Sequence, residues 1–481
     1  MLRFAFRLVI ISFLLLWGGV ACCRANDKAE LAERNLSRGL ELMEAAKTHY
    51  FTGGNRMVMY RWYNPVTGNN PSEIGSVWMY TSAIEATVSL MDACAALKET
   101  GRPQMYDARF QELAAFLRQL YDGLEWYRGT YTLTSYTQTR SWQAYAVDRA
   151  RRKGAADVNG KLNVYDDQEW LIRELLSAYR LTGETAYLEK AEYLAGYVID
   201  GWDCTLDPDG SENGGITWGP GYSSKHSCSN GPFISPLVWL SEIYKGKEDT
   251  AVRRYIGADG ERLTETLTKE QYYLSYARKV YDFQKNRLYN PQSGVYWDMI
   301  GGSPVSYETI NGERYRSHSP GRRPSGKFYP YNTGTMLSGA ADLYRVTGEE
   351  RYLSDLVSLQ ESSCTYFLQP SESMGGFFEM NVPDVPDMGA PRVFNTWFYG
   401  VLLRGWIEGV LTGKGTDFGV SNFQKNLDYA YENLLRDGTL PAYLLGGWNE
   451  EDVNANKVEA LFSFSYIADY GALAKYLTET L

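Results

Sequence analysis

Histidine is scarce in this chain, with only His49, His226 and His318 among 481 residues. This scarcity argues against a multi-histidine metal site or a histidine-based catalytic triad, so catalysis has to rest on other groups. Positive charge is also in deficit, because 58 acidic residues face 48 basic ones and give a formal charge of −10. A negatively charged chain repels phosphate backbones, which argues against nucleic acid as the main partner.

Cysteine is rare as well, with six residues, two of which lie near the N-terminus. Cys204 and Cys228 flank a glycine-rich stretch, and two alternatives stay open for them: a loop disulfide outside the cytoplasm, or two free thiols. Cys94 and Cys364 lie in apolar helical patterns and are predicted to be small buried hydrophobic residues.

Long hydrophobic runs are limited to residues 8–20, fewer than the roughly 20 residues that a membrane-spanning helix needs. Two arginines precede this run and small residues follow it, so residues 1–21 are predicted to be a secretory signal peptide. Cys22 follows a lipobox-like segment, and two alternatives stay open: cleavage after Ala21, or lipidation of Cys22 and membrane attachment. In both cases the protein is expected to be exported to the cell surface or periplasm, with residues 28–481 forming one soluble domain.

A helix junction recurs in the sequence, as Leu-Thr-Gly-Glu at residues 181–184 and Val-Thr-Gly-Glu at residues 346–349. Glycine favours a helix end, and the acidic residues after it favour a new helix start. The helix before Gly183 is apolar on nearly all sides, which predicts a buried helix. The helix after Gly183 carries a single apolar stripe, which predicts an outer amphipathic helix.

Extended to the whole chain, the same reasoning predicts about twelve helices. They are expected to begin near Glu30, Ile74, Gln104, Tyr165, Glu184, Pro232, Lys269, Tyr331, Glu349, Phe394, Asp417 and Lys457. Six inner helices that alternate with six outer ones predict an all-α (α/α)6 barrel. An irregular α-solenoid is the alternative.

Two long connections interrupt the predicted helices. Residues 245–268 are charged and predicted to be a solvated loop. Residues 301–328 carry five basic residues, among them Arg314 and Arg316. A solvated loop is expected there too, with contacts to an anionic glycan as the alternative. Residues 130–136, rich in threonine and tyrosine, predict a local hairpin.

Two consecutive carboxylates, Asp166 and Asp167, open the buried helix between Tyr165 and Trp170. A single aspartate there would be explained as a helix cap. Two neighbouring carboxyl groups cannot easily both ionise, so one pKa should rise while the other group stays charged. That division supplies the acid and the nucleophile that glycoside hydrolysis requires. Glu169 is predicted to point away from the pair and to serve as a structural ion partner.

These motifs together resemble glycoside hydrolase family 76. The resemblance starts with the aspartate pair, the tryptophan three residues later and the Leu-Thr-Gly-Glu junction. Further segments match in family order: Gly201-Trp202-Asp203, Gly214-Gly215-Ile216-Thr217-Trp218, Lys225, Ser229-Asn230-Gly231-Pro232, Gly294-Val295-Tyr296-Trp297-Asp298 and Tyr331-Asn332-Thr333-Gly334.

The resemblance implies an (α/α)6 barrel that acts as a retaining endo-α-1,6-mannanase on α-mannan polysaccharide or oligosaccharide. It places the nucleophile at Asp166 and the general acid/base at Asp167, with no cofactor and no metal. Thr333 stands where glutamine is commoner in the family, and Met299 stands where glycine is usual. These departures leave the exact linkage open, and some fungal relatives are thought to be transglycosylases.

Sugars present flat apolar faces and many hydroxyls, so aromatic and polar side chains at helix starts are candidates for binding them. The candidates are Trp78, Tyr80, Tyr165, Trp218, Asp298, Tyr331, Asn332, Asn395 and Trp397. For each aromatic residue, core packing is the ordinary alternative, and for Asp298 it is a turn; the family resemblance favours binding at Asp298.

Three rival functions are weighed against hydrolysis. A non-catalytic glycan-binding lipoprotein could use the same aromatic helices without the aspartate pair. A transglycosylase would use the same site to transfer sugars. Sugar epimerases on this type of barrel resemble one another in using a histidine pair. The scarcity of histidine and the predicted export signal argue against an epimerase.

Overall fold

The computed structural model describes residues 27–380 and 396–481. The predicted signal peptide, Cys22 and Asn395 lie outside the described residues. Within these residues, none of the helices combines the length and apolarity that crossing a bilayer requires. Twelve α-helices lie in this part of the chain: α1 over residues 27–50, α2 Val77–Leu97, α3 Pro103–Leu124, α4 Tyr165–Thr182, α5 Thr185–Ile199, α6 Gly231–Ile243, α7 Lys269–Leu288, α8 Pro330–Thr347, α9 Glu350–Phe367, α10 Thr396–Leu411, α11 Phe418–Leu434 and α12 Ala460–Glu479.

The two predicted junctions end helices α4 and α8. Gly183 and Gly348 take the left-handed conformation, with φ of 72° and 68°. Their backbone N–H groups donate to the carbonyls of Tyr179 and Tyr344 at 2.8 Å each. Because a side chain is strained in this conformation, glycine is the residue that ends both helices so sharply.

The even-numbered helices form a closed inner ring. Each of α2, α4, α6, α8, α10 and α12 packs against the next, and α12 returns to pack against α2. Helices α3, α5, α7, α9 and α11 each pack outside the inner helix that precedes them. Helix α1 lies in the same outer layer and pairs with α11 through Arg38 and Asp428 at 2.7 Å. The predicted (α/α)6 barrel is confirmed, and the ring's closure distinguishes it from an open solenoid.

Short antiparallel strands connect the helices, with one three-stranded sheet and seven two-stranded ones in the described residues. The three-stranded sheet orders Pro324–Ser325, Met299–Ile300 and Lys225–His226. The pairs are Phe51–Thr52 with Val58–Met59, Trp62–Tyr63 with Val458–Glu459, Arg128–Thr134 with Thr139–Tyr145, Thr250–Ile256 with Arg262–Thr268, Tyr289–Asn290 with Val295–Tyr296, Tyr307–Ile310 with Glu313–Arg316, and Leu368–Pro370 with Phe378–Met380.

Each long connection contains an antiparallel hairpin, and most of its side chains are exposed or partly exposed as predicted, with buried Arg316 an exception in the second. Alternating threonine, valine and charged residues favour strands between residues 250 and 268. In the second connection Asn311 and Gly312 have φ of 52° and 85°, as a two-residue type I′ hairpin turn requires. The predicted hairpin at residues 130–136 is confirmed.

Helices α8 and α10 approach closely at Gly334. A Cβ atom on Gly334 would lie 2.7 Å from the Cα of Leu402 and 2.7 Å from the carbonyl oxygen of Val401. Both contacts are to backbone atoms, which cannot move aside as a side chain can. The glycine therefore sets the spacing of these two inner helices.

We expect Gly334→Ala to lower the free energy of unfolding by about 1–3 kcal/mol, because α8 and α10 would have to separate. Thermal melting followed by circular dichroism measures the change. Gly375→Ala is the matched control, since a Cβ there meets no atom within 4 Å. Equal melting temperatures for the two variants would contradict this account of the ring.

Candidate active site

The inner helices all begin at one end of the barrel, because each is joined to the next through an antiparallel outer helix. Their first turns carry aromatic side chains that touch one another. The Trp397 ring lies 5.2 Å from Trp78, 4.8 Å from Trp170 and 6.1 Å from Tyr331, between ring centroids. We call this end the N-terminal face.

Asp166 lies partly buried in the first turn of α4 at this face. Its Oδ1 accepts the backbone N–H of Asp167 at 3.1 Å, and the Trp218 indole N–H points at its Oδ2 from 3.4 Å. Burial raises the pKa of Asp166 to about 6, while hydrogen bonds from the Cys228 thiol and the Trp218 indole oppose the rise. These donors and the N-terminus of α4 favour the ionised form.

Asp167, the next residue, is only 9% exposed. Burial raises the pKa of Asp167 well above its usual range, and the charge of Asp166 raises it further. Two carboxyl groups this close do not ionise together readily. Asp167 therefore keeps its proton at a pH at which Asp166 is already ionised.

Glu169 is a third acidic residue beside the pair, and the prediction that it is a structural ion partner is wrong. Its side chain is fully buried, and no described residue hydrogen-bonds to either carboxylate oxygen. Burial, and then the charge of Asp166, raise its pKa well above its usual range. A buried carboxyl group without a cation avoids the cost of an isolated charge by staying protonated.

Asp298 and Asn332 lie next to the pair. Burial raises the pKa of Asp298 to about 6, the Asn332 amide opposes this, and the charge of Asp166 adds to it. The segment carrying Asp298 is held by its carbonyl oxygen, which accepts the backbone N–H of Ser227 at 2.7 Å. The structure thus brings Asp166, Asp167, Asp298 and Asn332 into one polar cluster.

Trp218 lies beside this cluster, half-exposed. Its indole ring stacks on His226 at 4.8 Å and packs against Tyr222 at 4.6 Å. Its carbonyl oxygen accepts the backbone N–H of Tyr165 at 2.8 Å, and its own N–H donates to Ser224 at 2.9 Å. The backbone of Trp218 is therefore tied directly to the start of α4.

Two predicted sugar contacts are in the core instead. Tyr80 is fully buried, and its hydroxyl donates to the Leu120 carbonyl oxygen of α3 at 3.0 Å. Tyr165 is 1% exposed and packs against Tyr197 at 5.1 Å. Neither side chain presents a surface that a sugar could contact. The prediction failed because residues on one helical turn face different sides, and the sequence does not show which side faces the barrel opening.

The remaining aromatic candidates lie at the N-terminal face with unequal exposure. Trp78 is half-exposed, whereas Tyr331 and Trp397 are mostly buried. The Trp397 indole N–H donates to Glu85 at 2.9 Å inside the barrel. Trp78 therefore offers the larger surface to a ligand, and the other two rings support it from behind.

Several residues at this face escaped the sequence analysis. The half-exposed Phe398 ring stacks on Tyr331 at 4.3 Å, and Tyr329 packs against Phe398 at 5.4 Å. Trp297 and Phe328 form a further pair at 4.2 Å. Their signal was available, because each of the four is adjacent, or next but one, to another aromatic residue in the sequence.

Cys204 and Cys228 are free buried thiols, so the alternative without a disulfide is the one observed. Burial raises the pKa of Cys228 well above its usual range, and the charge of Asp166 adds to the rise. A thiol that stays protonated can donate to the Asp166 carboxylate. Among the described residues no cluster of three or more histidine, cysteine or acidic side chains could hold a metal ion.

A cavity of about 690 Å³ lies at the opposite end of the barrel, where inner helices end. Its polar groups largely satisfy one another: Arg345 pairs with Asp342 at 2.6 Å, and the Trp239 indole donates to Asp342 at 2.9 Å. Arg180 covers the Trp239 ring at 4.5 Å from its centroid. The aspartate pair lies at the other end, so the N-terminal face carries the candidate active site.

Comparison with known proteins agrees with the barrel fold. The family model described as glycosyl hydrolase family 76 matches residues 79–251 and 260–383. A mannan endo-1,6-alpha-mannosidase, DCW1, of Candida albicans is 27% identical over 190 residues. That alignment covers 39% of this chain and 34% of the fungal protein, so the chain spans about a third of that relative's length.

Solved structures share the fold. A family 76 glycoside hydrolase (mannosidase), Bt3792, from Bacteroides thetaiotaomicron superposes with a TM-score of 0.64 at 21% identity, over 92% of this chain and 98% of that one. An inactive variant of the alpha-1,6-mannanase GH76A of Salegentibacter, in complex with alpha-1,6-mannotriose, superposes with a TM-score of 0.54 at 20% identity, over 93% and 99%. Since the family model spans more than half of the residues and the barrel agrees with it, the chain belongs to glycosyl hydrolase family 76.

Proposed function

We propose that this protein is a retaining endo-α-1,6-mannanase that cleaves α-mannan backbones, with Asp166 as nucleophile and Asp167 as general acid/base. The observation that carries the proposal is the pair of neighbouring carboxyl groups in the first turn of α4, whose surroundings favour different protonation states. They lie among partly exposed aromatic rings at the N-terminal face of the barrel.

In the first step, the ionised Asp166 attacks the anomeric carbon of the mannosyl unit, and the glycosidic C–O bond breaks. Asp167 donates its proton to the departing oxygen, so the shorter sugar leaves as a neutral alcohol. The product of this step is an ester between the mannosyl unit and the Asp166 carboxylate.

In the second step, Asp167 is ionised and takes a proton from a water molecule that attacks the anomeric carbon. The ester bond breaks and Asp166 returns as a carboxylate. Two displacements at the same carbon leave the anomeric configuration unchanged. If a sugar hydroxyl takes the place of water, the same chemistry transfers the mannosyl unit, so hydrolysis and transfer differ only in the acceptor.

The surroundings of the pair supply the two states that this reaction needs. Asp166 receives hydrogen bonds from Trp218 and Cys228 and lies at a helix N-terminus, which stabilise a carboxylate. Asp167 receives no comparable hydrogen-bond donor among the described residues. Its pKa is raised by burial and by the charge of Asp166. The desolvation that makes Asp167 a proton donor also strengthens electrostatic interactions inside the site.

The substrate class is proposed from the rings and the relatives together. Trp78, Trp218, Tyr329 and Phe398 are half-exposed and offer flat apolar surfaces to sugar faces. Asp298, partly buried beside the pair, is the proposed partner for a substrate hydroxyl, whereas Asn332 is fully buried behind it. The Salegentibacter relative, an alpha-1,6-mannanase, is inactive as a variant with two consecutive aspartates replaced by asparagine.

Export belongs to the proposal as well. The predicted signal peptide and the lipobox-like segment before Cys22 support secretion, and lipidation of Cys22 would hold the enzyme at a membrane surface. Mannan is too large to enter a cell intact, so an enzyme that cleaves its backbone has to meet it outside the cytoplasm.

We expect Asp166→Asn and Asp167→Asn each to lower kcat on linear α-1,6-mannan by about 10³-fold or more, because each removes a group that the transition state requires. Release of reducing ends, with product sizing by chromatography, measures the loss. Asp259→Asn, a change in an exposed hairpin turn, is the matched control and should keep full activity. Full activity of either site variant would exclude the proposed roles.

The pH dependence of kcat/KM should be bell-shaped. Asp166 has to be ionised, so activity should fall below about pH 6 as the carboxylate takes up its proton. The alkaline limb belongs to the pair's second ionisation, which burial and the charge of Asp166 move upward. Initial rates on mannan, measured from about pH 4 to about pH 10, test this profile, because raised carboxyl pKa values fall in that range. Undiminished kcat/KM well below pH 6 would contradict it.

A further inference from the structure

Arg316 is buried at the end of the hairpin Tyr307–Ile310 with Glu313–Arg316, although the sequence predicted a solvated loop there. Its side chain is 3% exposed, and its backbone N–H donates to the Ser135 carbonyl oxygen at 2.9 Å. Its guanidinium lies 5.1 Å from the centroid of the Tyr136 ring. Two hairpins therefore hold this arginine inside the protein.

The guanidinium donates to one short loop, residues 217–222. It donates to the Thr217 hydroxyl at 3.5 Å, to the Pro220 carbonyl oxygen at 3.4 Å, and to the carbonyl oxygen of Tyr222. No carboxylate among the described residues forms an ion pair with Arg316. Burying a cation costs free energy. Here three hydrogen bonds from the guanidinium to both ends of the loop that contains Trp218 offset that cost.

Trp218 connects this loop to the aspartate pair. Its indole N–H points at Asp166 Oδ2 from 3.4 Å, and its ring lies between His226 and Tyr222. Tyr222 is itself held through its carbonyl oxygen by Arg316. A shift of the loop would therefore move the indole donor and one of its packing partners together.

We infer that Arg316 is a positioning residue for the nucleophile: it fixes the loop of residues 217–222 so that the Trp218 indole donates to Asp166. The role of Asp166 as nucleophile rests on the proposed function. The contact between the Trp218 indole and Asp166 does not depend on it. Arg316 contacts the backbone and the Thr217 hydroxyl of the loop and acts on the carboxylate through Trp218.

The groups that face Asp166 set what the loss of this contact would do. They are Asp167 and Glu169 on the same helix, Cys228 before α6, Tyr222 beside Trp218, Asp298, and Tyr331 on α8. The acids and the tyrosines disfavour a charge on Asp166, and the Trp218 indole is one of the donors that favour it. Without that donor the ionised form is less stable, so a higher pH is needed to ionise Asp166.

Arg316→Ala should therefore move the acid limb of the kcat/KM profile upward by about 1–2 pH units, roughly the effect of one hydrogen bond to a charged group. Trp218→Phe should give the same shift, and the double variant should shift no further than Trp218→Phe alone. Arg314→Ala is the matched control, because Arg314 is an exposed arginine of the same hairpin that covers Tyr307 at 4.0 Å. Its profile should match the wild type.

A second readout does not depend on mannan cleavage. In protein labelled with ¹⁵N-tryptophan, the Trp218 indole resonance is identified by its absence from Trp218→Phe. Its chemical shift should titrate with Asp166, at a higher midpoint in Arg316→Ala than in the wild type. If Arg316→Ala does not fold, Arg316→Lys keeps the buried charge without the fork of donors and should raise the midpoint by a smaller amount.

The two proposals fail in different ways. If the wild type releases no oligosaccharide but the indole midpoint moves in the Arg316 variants, the proposed function is wrong and the positioning role stands. If mannan is cleaved and both the acid limb and the indole midpoint stay in place, Arg316 is a structural residue only. Additive shifts in the double variant would likewise overturn the route through Trp218.

Discussion

The site depends on one constraint, the common direction of the six inner helices. Because every inner helix returns through an outer one, all inner N-termini open at the same end. Six sets of backbone N–H groups and their partial positive charge therefore surround that face. A carboxylate in the first turn of α4 is stabilised there, and aromatic side chains in the first turns of α2, α8 and α10 stand around it.

Burial opposes this stabilisation, because it removes water from the carboxylates. Burial favours the protonated forms of Asp167 and Glu169, whereas Asp166 is less deeply buried and has hydrogen-bond donors. In the proposed mechanism, a small difference in depth along one helical turn separates the proton donor from the carboxylate. Different surroundings of two like carboxyl groups are sufficient to create that difference.

Much of the fold could be predicted because it follows from local patterns. The start of α4 at Tyr165 and of α7 at Lys269 was predicted to the residue, and both Thr-Gly-Glu junctions end inner helices at a left-handed glycine. Periodicity detects these features because they need no partner distant in sequence. The hairpin at residues 307–316 was missed although its Asn-Gly turn was visible, because its many charges suggested solvent.

The errors within the candidate site have a different cause. Tyr80 and Tyr165 begin inner helices like Trp78, yet they face the outer layer. Glu169 follows Asp166 by three residues, and its lack of a cation depends on what other helices bring nearby. Arg316 contacts a loop about 100 residues earlier in the chain. These contacts are set by packing between segments that are distant in sequence. Local patterns in a single sequence therefore do not predict them.

The most direct test of the account is to trap the covalent intermediate. A fluorinated mannosyl donor, whose ring fluorine slows the second step, is incubated with the enzyme, and the labelled peptide is sequenced by mass spectrometry. The account predicts one mannosyl ester on Asp166 that is absent from Asp166→Asn. A label on Asp167, Glu169 or Asp298, or turnover to a product of inverted configuration without any adduct, would contradict it.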